Sequence, residues 1–185
     1  MNYSTLRPNH MDAVEQYLAD LAAIHSTGAA LPETSGYGAL ASFLNEVGKS
    51  LDPKVRCVMG LKNQGADYPD GDLFTAEQCR NVADFSALAG QVPARGVVEV
   101  KSPSADVEET AASEQVKGYW DKYRLVLVTN YWEFALVGDI GVGRPMRLES
   151  FRDVAWSLAS YASVTCSGIP RLICSTEHAK NYSVQ

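Results

Sequence analysis

The sequence predicts an α/β protein, in its α+β sandwich form, with a mixed central β-sheet flanked by helices. The expected elements follow the order α, α, β, β, β, α, β, β, α, which favours a sheet with helices packed on its faces. The chain has 185 residues, of which 46% are hydrophobic and 21% charged, and this is enough to bury a core of ordinary size. No repeat or low-complexity segment is visible. We therefore expect a single domain over residues 1–185.

The first two elements are predicted to be helices. Residues 11–25 carry Val14, Leu18 and Leu21 at helical spacing, and the following TGAALPE segment ends the pattern. A second helix is expected within residues 34–51, where one face is apolar and Thr34 or Ser35 is the expected N-cap.

The remainder of the chain predicts five strands and two helices. The strands are expected in segments rich in β-branched residues and bounded by turn residues, over 54–61, 72–78, 96–102, 124–131 and 133–140. A helix is expected over 106–123, and a tight turn at Asn130–Trp132 joins the last two strands. The glycines of VGDIGVGRP predict a flexible hairpin or loop, and a helix over 150–164 opens a C-terminal helical tail, 150–185.

Charge and composition exclude several classes of function. The net charge of −6 argues against a protein that holds nucleic acid by bulk positive charge, so any nucleic-acid contact must be local, metal-assisted or helped by a partner. The four cysteines and three histidines show none of the spacings typical of zinc sites. The N-terminus lacks a signal-peptide pattern and no segment has the length of a membrane span, so we expect a cytoplasmic protein.

The segment RGVVEVKSP combines a valine-rich strand pattern with two charges. Side chains alternate along a strand, so Glu99 and Lys101 are predicted on one face while Val98 and Val100 occupy the other. One interpretation is an edge strand whose polar face lies in water, with a weak ion pair along it. The other is that the two charged side chains form part of a functional site.

A second acid favours the functional interpretation. Asp70 is expected at the start of the preceding strand, and a hairpin-like arrangement would bring its carboxylate beside Glu99. Two carboxylates, the backbone carbonyl of Val100 and several waters would suit Mg²⁺, and Lys101 alongside could orient or deprotonate an attacking water. Asp72 is the alternative acid in the same PDGD segment, because two-residue spacing in a strand would place both on one face.

These residues resemble a known family signature. Asp70, Glu99 and Lys101 are similar to the D…E-x-K pattern of PD-(D/E)XK nucleases, and Pro69 supplies the proline before the first acid. The resemblance implies a restriction-endonuclease-like fold, with Asp70, Glu99 and the carbonyl of Val100 as metal ligands. It also implies Mg²⁺ as the cofactor, with Mn²⁺ able to substitute.

Two further motifs extend the resemblance. Gln115 and Tyr119 lie four residues apart on a predicted helix and resemble the Q-x-x-x-Y motif of the Mrr-like and helicase-associated nuclease branches, which implies that they position the substrate. Glu33 opens the second helix, where many members of the fold place a further metal-site glutamate. For Glu33, the alternative is a first-turn acid that complements the helix dipole.

The similarity covers residues 30–150, which we take as the core of the domain. This region resembles the N-terminal nuclease domain of bacterial restriction-modification proteins that fuse a nuclease to an N6-adenine DNA methyltransferase. The resemblance implies DNA as substrate and a methyltransferase and target-recognition region in cis or in trans. Cutting both strands takes two sites or two visits, so a homodimer is one arrangement that it allows.

Two functions follow as hypotheses. The first is a metal-dependent DNA endonuclease domain in a restriction-modification or related phage-defence system. The second is a catalytically silent module that keeps the nuclease fold for DNA binding or protein assembly. Under the first hypothesis the clustered carboxylates should raise one another's pKa values in the metal-free state, and metal should stabilise the fold.

Overall fold

A computed structural model describes residues 8–27, 33–61, 68–80, 82, 85–88, 90–139, 141 and 143–151. All of them belong to one compact unit, Met1–Ala155. The elements in chain order are α1 (Pro8–Ser26), α2 (Tyr37–Gly48), β1 (Val55–Met59), β2 (Gly71–Thr75), a short 3₁₀ helix (Phe85–Leu88), β3 (Val97–Val100), α3 (Val107–Ala111), α4 (Glu114–Tyr123), β4 (Val126–Thr129), β5 (Phe134–Gly138) and β6 (Met146–Phe151).

The six strands form one mixed sheet in the order β1-β2-β3-β4-β5-β6. Neighbouring strands are antiparallel except β3 and β4, which run parallel with Val97 beside Val126. A parallel pair needs a crossover connection, and α3 and α4 supply it. The sheet confirms the predicted fold class, an α+β protein with a mixed sheet flanked by helices.

Helices pack on both faces of the sheet, so β3 and its neighbours are buried on both sides. On one face, residues of α1 and α2 such as Tyr17, Leu21 and Leu40 pack against Val98 and Val100. On the opposite face, α3 and α4 pack against β3, β4 and β5 through a cluster that consists of Val97, Val107, Val116, Tyr119, Trp120, Tyr123, Val126, Val128, Ala135 and Val137. Alternation along β3 therefore directs Glu99 toward the α4 side.

The edge-strand interpretation of the E-x-K segment is wrong. β3 hydrogen-bonds to β2 on one side and to β4 on the other, and all four of its residues are buried. Glu99 is 2% exposed, so its charge lies inside the protein rather than on a solvated face. A buried charge in a central strand calls for partners.

The single helix predicted over 106–123 is divided in two. Asp106 caps α3 by accepting hydrogen bonds from the backbone N–H groups of Glu108 and Glu109, at 2.8 and 3.0 Å. Ser113 caps α4 by accepting from Val116 N–H at 3.3 Å. Two N-cap residues seven apart therefore start two helices, where periodicity alone indicated one.

The boundaries of the other elements also differ from prediction. The N-cap of α2 is Gly36, with no side-chain hydrogen bond, rather than Thr34 or Ser35. β6 was not predicted, and it includes Ser150 and Phe151, which the sequence assigned to a helix. The remainder of that helix and of the tail over 150–185 lies outside the described residues. None of the helices in the described part of the chain has the length and apolar composition that crossing a membrane takes.

Candidate active site

The pairing of β2 with β3 brings the two predicted metal-site acids together. Gly71 pairs with Val98, so Asp70, directly before Gly71, and Glu99, directly after Val98, lie at the same end of the strand pair. Asp70 Oδ2 accepts a hydrogen bond of 2.7 Å from the backbone N–H of Val100. The N–H and C=O of a strand residue point to the same side, so the Val100 carbonyl also faces the Asp70 side of β3.

The two carboxylate oxygens of the buried Glu99 have different surroundings. The Nζ atom of Lys101 lies 2.6 Å from Glu99 Oε1 and is itself 29% exposed as a side chain. The other oxygen, Oε2, is buried and has no hydrogen-bond partner among the described residues. A buried carboxylate oxygen that lacks a donor costs free energy, so this atom identifies the place where a cation would be favourable.

The environment raises the pKa of Glu99. Burial is the main cause, and the charges of Asp70 and Glu33 act in the same direction, while the hydrogen bond from Lys101 opposes them. A raised pKa is the direction expected from repulsion between the clustered carboxylates, but burial of Glu99 contributes more than that repulsion. For Lys101, partial burial acts to lower the pKa, yet its hydrogen bond to Glu99 and the surrounding acids raise it overall.

A chain of hydrogen bonds links Lys101 to the Q-x-x-x-Y motif on α4. Lys101 Nζ donates to Gln115 Oε1 at 3.3 Å, and Gln115 Nε2 donates to the Tyr119 hydroxyl at 3.0 Å. Tyr119 in turn donates to the backbone carbonyl of Tyr68 at 2.9 Å. Tyr68 is two residues before Asp70, so the motif connects the lysine on β3 with the segment that carries the first acid.

Glu33 lies near the cluster but is held differently from the prediction. Its side chain is exposed, and it lies in the turn before α2, which begins at Tyr37, rather than in the helix itself. Its backbone carbonyl accepts a hydrogen bond from the Tyr131 hydroxyl, and its charge acts on Glu99 and Lys101. The structure therefore places Glu33 within electrostatic reach of the site.

Two tyrosines at the site were missed by sequence analysis. The Tyr37 hydroxyl donates to Asp70 Oδ1, and Tyr131 fixes the turn that contains Glu33. Burial and the charge of Asp70 raise the pKa values of both phenols, so both remain hydroxyl donors at neutral pH. In the sequence, Tyr37 reads as an ordinary first-turn residue and Tyr131 as part of a turn, so no pattern distinguished them.

Asp72 occupies a different place from Asp70. It is fully buried within β2, opposite Val58 of β1 and Val97 of β3. Its charge acts on the Cys57 thiol and helps to raise the pKa of that group, after burial, to about 12. Asp70, at the end of the strand and in contact with Val100, is therefore the acid that the geometry joins to Glu99.

The described acidic side chains do not by themselves complete a metal site, so a divalent cation would need a backbone oxygen as a further ligand. Within the described ranges, no three His, Cys, Asp or Glu side chains converge as a metal-binding group. Asp70 and Glu99 supply two hard carboxylates, and the carbonyl of Val100, whose N–H donates to Asp70, would supply the backbone oxygen. Oxygen ligands of this kind, completed by waters, suit Mg²⁺, and the donorless Glu99 Oε2 fits a cation-binding role.

Two surface grooves lie away from this cluster. One, of about 540 Å³, runs between α1 and α2 and includes Gln16, Asp20 and Glu46. The other, of about 520 Å³, lies beside α3 and β6 and includes Glu108 and Arg147, which form an ion pair. The linings of these two grooves do not include Asp70, Glu99 or Lys101.

The chain is similar to known proteins at the level of the fold. No protein-family model and no curated protein matches the sequence. Among solved structures, the chain is similar to a chain in a cryo-electron-microscopy structure of a DrdV–DNA complex, with a TM-score of 0.53 and 17% sequence identity. The match covers 86% of this chain but only 14% of the other. At this identity the similarity concerns the fold, and the sheet and helices described above are compatible with a restriction-endonuclease-like fold.

Proposed function

We propose that this chain is a divalent-metal-dependent DNA endonuclease domain that hydrolyses phosphodiester bonds within a restriction-modification or related phage-defence system. The observation that carries the proposal is the convergence of Asp70 and buried Glu99 beside Lys101, with one Glu99 oxygen lacking a donor. In a central strand such a charged pair costs free energy, and a catalytic role accounts for it.

Asp70, Glu99 and the Val100 carbonyl are the groups that would hold Mg²⁺, or Mn²⁺ in its place. Among the described residues, the acids Glu99, Glu33 and Asp70 all act on the Lys101 ammonium, and Asp70 and Glu33 also act on Glu99. This excess of negative charge favours a cation at the site. When bound, the ion would supply Lewis-acid stabilisation of the charge that develops on a phosphate oxygen.

In this proposal Lys101 acts on the phosphate or on the attacking water. Its ammonium lies between Glu99 and Gln115, at 2.6 and 3.3 Å, and it is partly open to solvent. Because Gln115 is held by Tyr119, the α4 motif limits the positions that the ammonium can take. In this proposal Lys101 orients water and donates to the phosphate, while Gln115 and Tyr119 position the lysine and the substrate.

DNA is the proposed substrate for two reasons. The fold is similar to that of a chain in a complex with DNA, and a site with metal-binding carboxylates and a lysine suits phosphodiester hydrolysis. The chain spans 14% of the length of the chain it matches, so target recognition is proposed to come from a methyltransferase and recognition region in cis or in trans. Cutting both strands would be served by a homodimer.

A silent nuclease-fold module, used for DNA binding or protein assembly, is the second candidate. The observation that favours it is the Glu99–Lys101 ion pair, because the ammonium already offsets the buried carboxylate without any metal. In that case the protein would bind DNA or a partner while leaving phosphodiester bonds intact. Cleavage and metal binding distinguish the two candidates.

The test is nicking of supercoiled plasmid by the purified chain in Mg²⁺ or Mn²⁺. We expect wild type to nick and both Glu99→Ala and Lys101→Ala to lose about 100-fold or more in rate. Glu77→Ala, which removes an exposed acid that follows β2, should retain wild-type activity. A folded wild type that neither cuts DNA nor binds either metal would refute the endonuclease proposal. Metal binding without cutting would favour the silent module.

A further inference from the structure

Both carboxylate oxygens of Asp70 have their own protein donor. Oδ2 accepts from the Val100 backbone N–H at 2.7 Å, and Oδ1 accepts from the Tyr37 hydroxyl. The backbone of Asp70 is fixed as well, because its carbonyl accepts from Gly60 N–H at 2.8 Å. Two donors on opposite oxygens define the plane of the carboxylate, and each oxygen retains a lone pair for another ligand.

The hydroxyl of Tyr37 comes from the start of α2, which several contacts hold in place. Tyr37 is the first residue of α2, and the preceding Gly36 packs directly against the ring of Tyr131. The Tyr131 hydroxyl binds the Glu33 carbonyl, while its own backbone carbonyl accepts from the Tyr17 hydroxyl at 2.9 Å. The start of α2 is therefore anchored at both ends of the turn that leads into it.

We infer that Tyr37 is a positioning residue that orients the Asp70 carboxylate for a divalent cation. The inference rests on the proposed function, because it assigns a role to Tyr37 only if Asp70 is a metal ligand. It goes beyond that proposal by giving the helical layer on the α1–α2 side of the sheet a part in metal affinity. Groups that hold a metal ligand in place commonly contribute about 10- to 100-fold to metal affinity or activity.

The test is Mn²⁺ affinity, measured by calorimetry on the intact chain. Tyr37→Phe retains the ring and removes only the hydroxyl, and we expect it to weaken Mn²⁺ binding about 10-fold. The matched control is Tyr123→Phe, which removes a hydroxyl from a buried tyrosine in the core on the α4 side, and its affinity should equal that of wild type. Thermal unfolding without metal verifies that each variant is folded.

A second arm distinguishes positioning from a general structural effect. If Tyr37 acts through Asp70, then in an Asp70→Asn background Tyr37→Phe should weaken Mn²⁺ binding no further. Equal affinities of wild type and Tyr37→Phe would overturn the inference and leave the proposed function standing. A loss shared by Tyr123→Phe, or fully additive to Asp70→Asn, would also overturn it. Failure of wild type to bind Mn²⁺ would refute the metal site itself.

Discussion

Asp70 Oδ2 accepts a hydrogen bond of 2.7 Å from the backbone N–H of Val100. This contact joins Asp70, which precedes β2, to Val100, the last residue of β3. Because Glu99 is the neighbour of Val100, the same contact sets the separation between Asp70 and Glu99. The β2–β3 register, with Gly71 beside Val98, puts both residues at the same end of the pair. Four expected outcomes follow from this site and from the packing around it.

Removing Lys101 from the Glu99–Lys101 ion pair should destabilise the protein more than removing Glu99. Lys101→Met leaves Glu99, which is 2% exposed, without its counter-charge, so we expect a loss of about 3 kcal/mol in the free energy of unfolding at neutral pH. Glu99→Gln should cost less, because the Lys101 ammonium is 29% exposed and water can solvate it. Urea denaturation without metal measures both.

The double variant Glu99→Gln/Lys101→Met is the control for this prediction. It removes both charges together and should recover most of the stability that Lys101→Met loses. A larger loss for Glu99→Gln than for Lys101→Met would contradict the burial asymmetry on which the prediction depends.

Divalent metal should stabilise the folded chain. An ion that binds only the native state adds about 2.7 kcal/mol at a concentration 100-fold above its dissociation constant. We expect Mn²⁺ to raise the melting temperature of wild type and of Glu77→Gln, which changes an exposed acid that follows β2, and to raise that of Asp70→Asn much less. The measurement is thermal unfolding with and without chelator. An equal rise in Asp70→Asn would place the metal elsewhere.

Two glycines near the start of α2 should respond in opposite directions to alanine. At Gly36 a Cβ atom would lie 2.4 Å from the ring of Tyr131, which is fully buried and cannot move away, so Gly36→Ala should cost about 1–3 kcal/mol. At Gly38 a Cβ would meet nothing within 4 Å, and alanine should stabilise the helix by about 0.4–1 kcal/mol. Denaturant titration of both variants tests the pair, and a neutral Gly36→Ala would contradict the packing of the Tyr131 ring.

Stability should fall as the pH rises above about 9. Burial raises the pKa of the Cys57 thiol to about 12, whereas in the unfolded chain the thiol loses its proton near its ordinary value. Between these values the native state binds more protons than the unfolded state, so the free energy of unfolding decreases with pH. The buried phenol of Tyr17 also has a raised pKa and acts in the same direction. Below the ordinary pKa values of the thiol and the phenol, their full contribution to the free energy of unfolding is present.

Urea denaturation from pH 7.5 to 10.5 measures this slope. Cys57→Ala should make the decline shallower by up to about 1.4 kcal/mol per pH unit, the limit for one proton. Cys79→Ala is the matched control, because that thiol is less buried and its slope should change less. An identical slope for wild type and Cys57→Ala would show that the thiol ionises alike in both states.

The sequence by itself determined the local elements and the types of side chain at the site. Alternation predicted that Glu99 and Lys101 share a face of their strand, and helical spacing predicted that Gln115 and Tyr119 share one on α4. These are properties of neighbours along the chain, and backbone geometry fixes them over a few residues. The same reasoning predicted a sheet flanked by helices.

Tertiary structure alone decided which of these features meet. β3 proved central rather than an edge, because strand order depends on contacts between distant segments that no local pattern encodes. The division of the helix over 106–123 and the addition of β6 likewise followed capping and sheet pairing rather than periodicity. Tyr37 and Tyr131 reach the site only through folding, since their partners Asp70 and Glu33 lie 33 and 98 residues away along the chain. A hydrogen bond across such a separation depends on the packing of whole elements, which is why it emerges only from the folded chain.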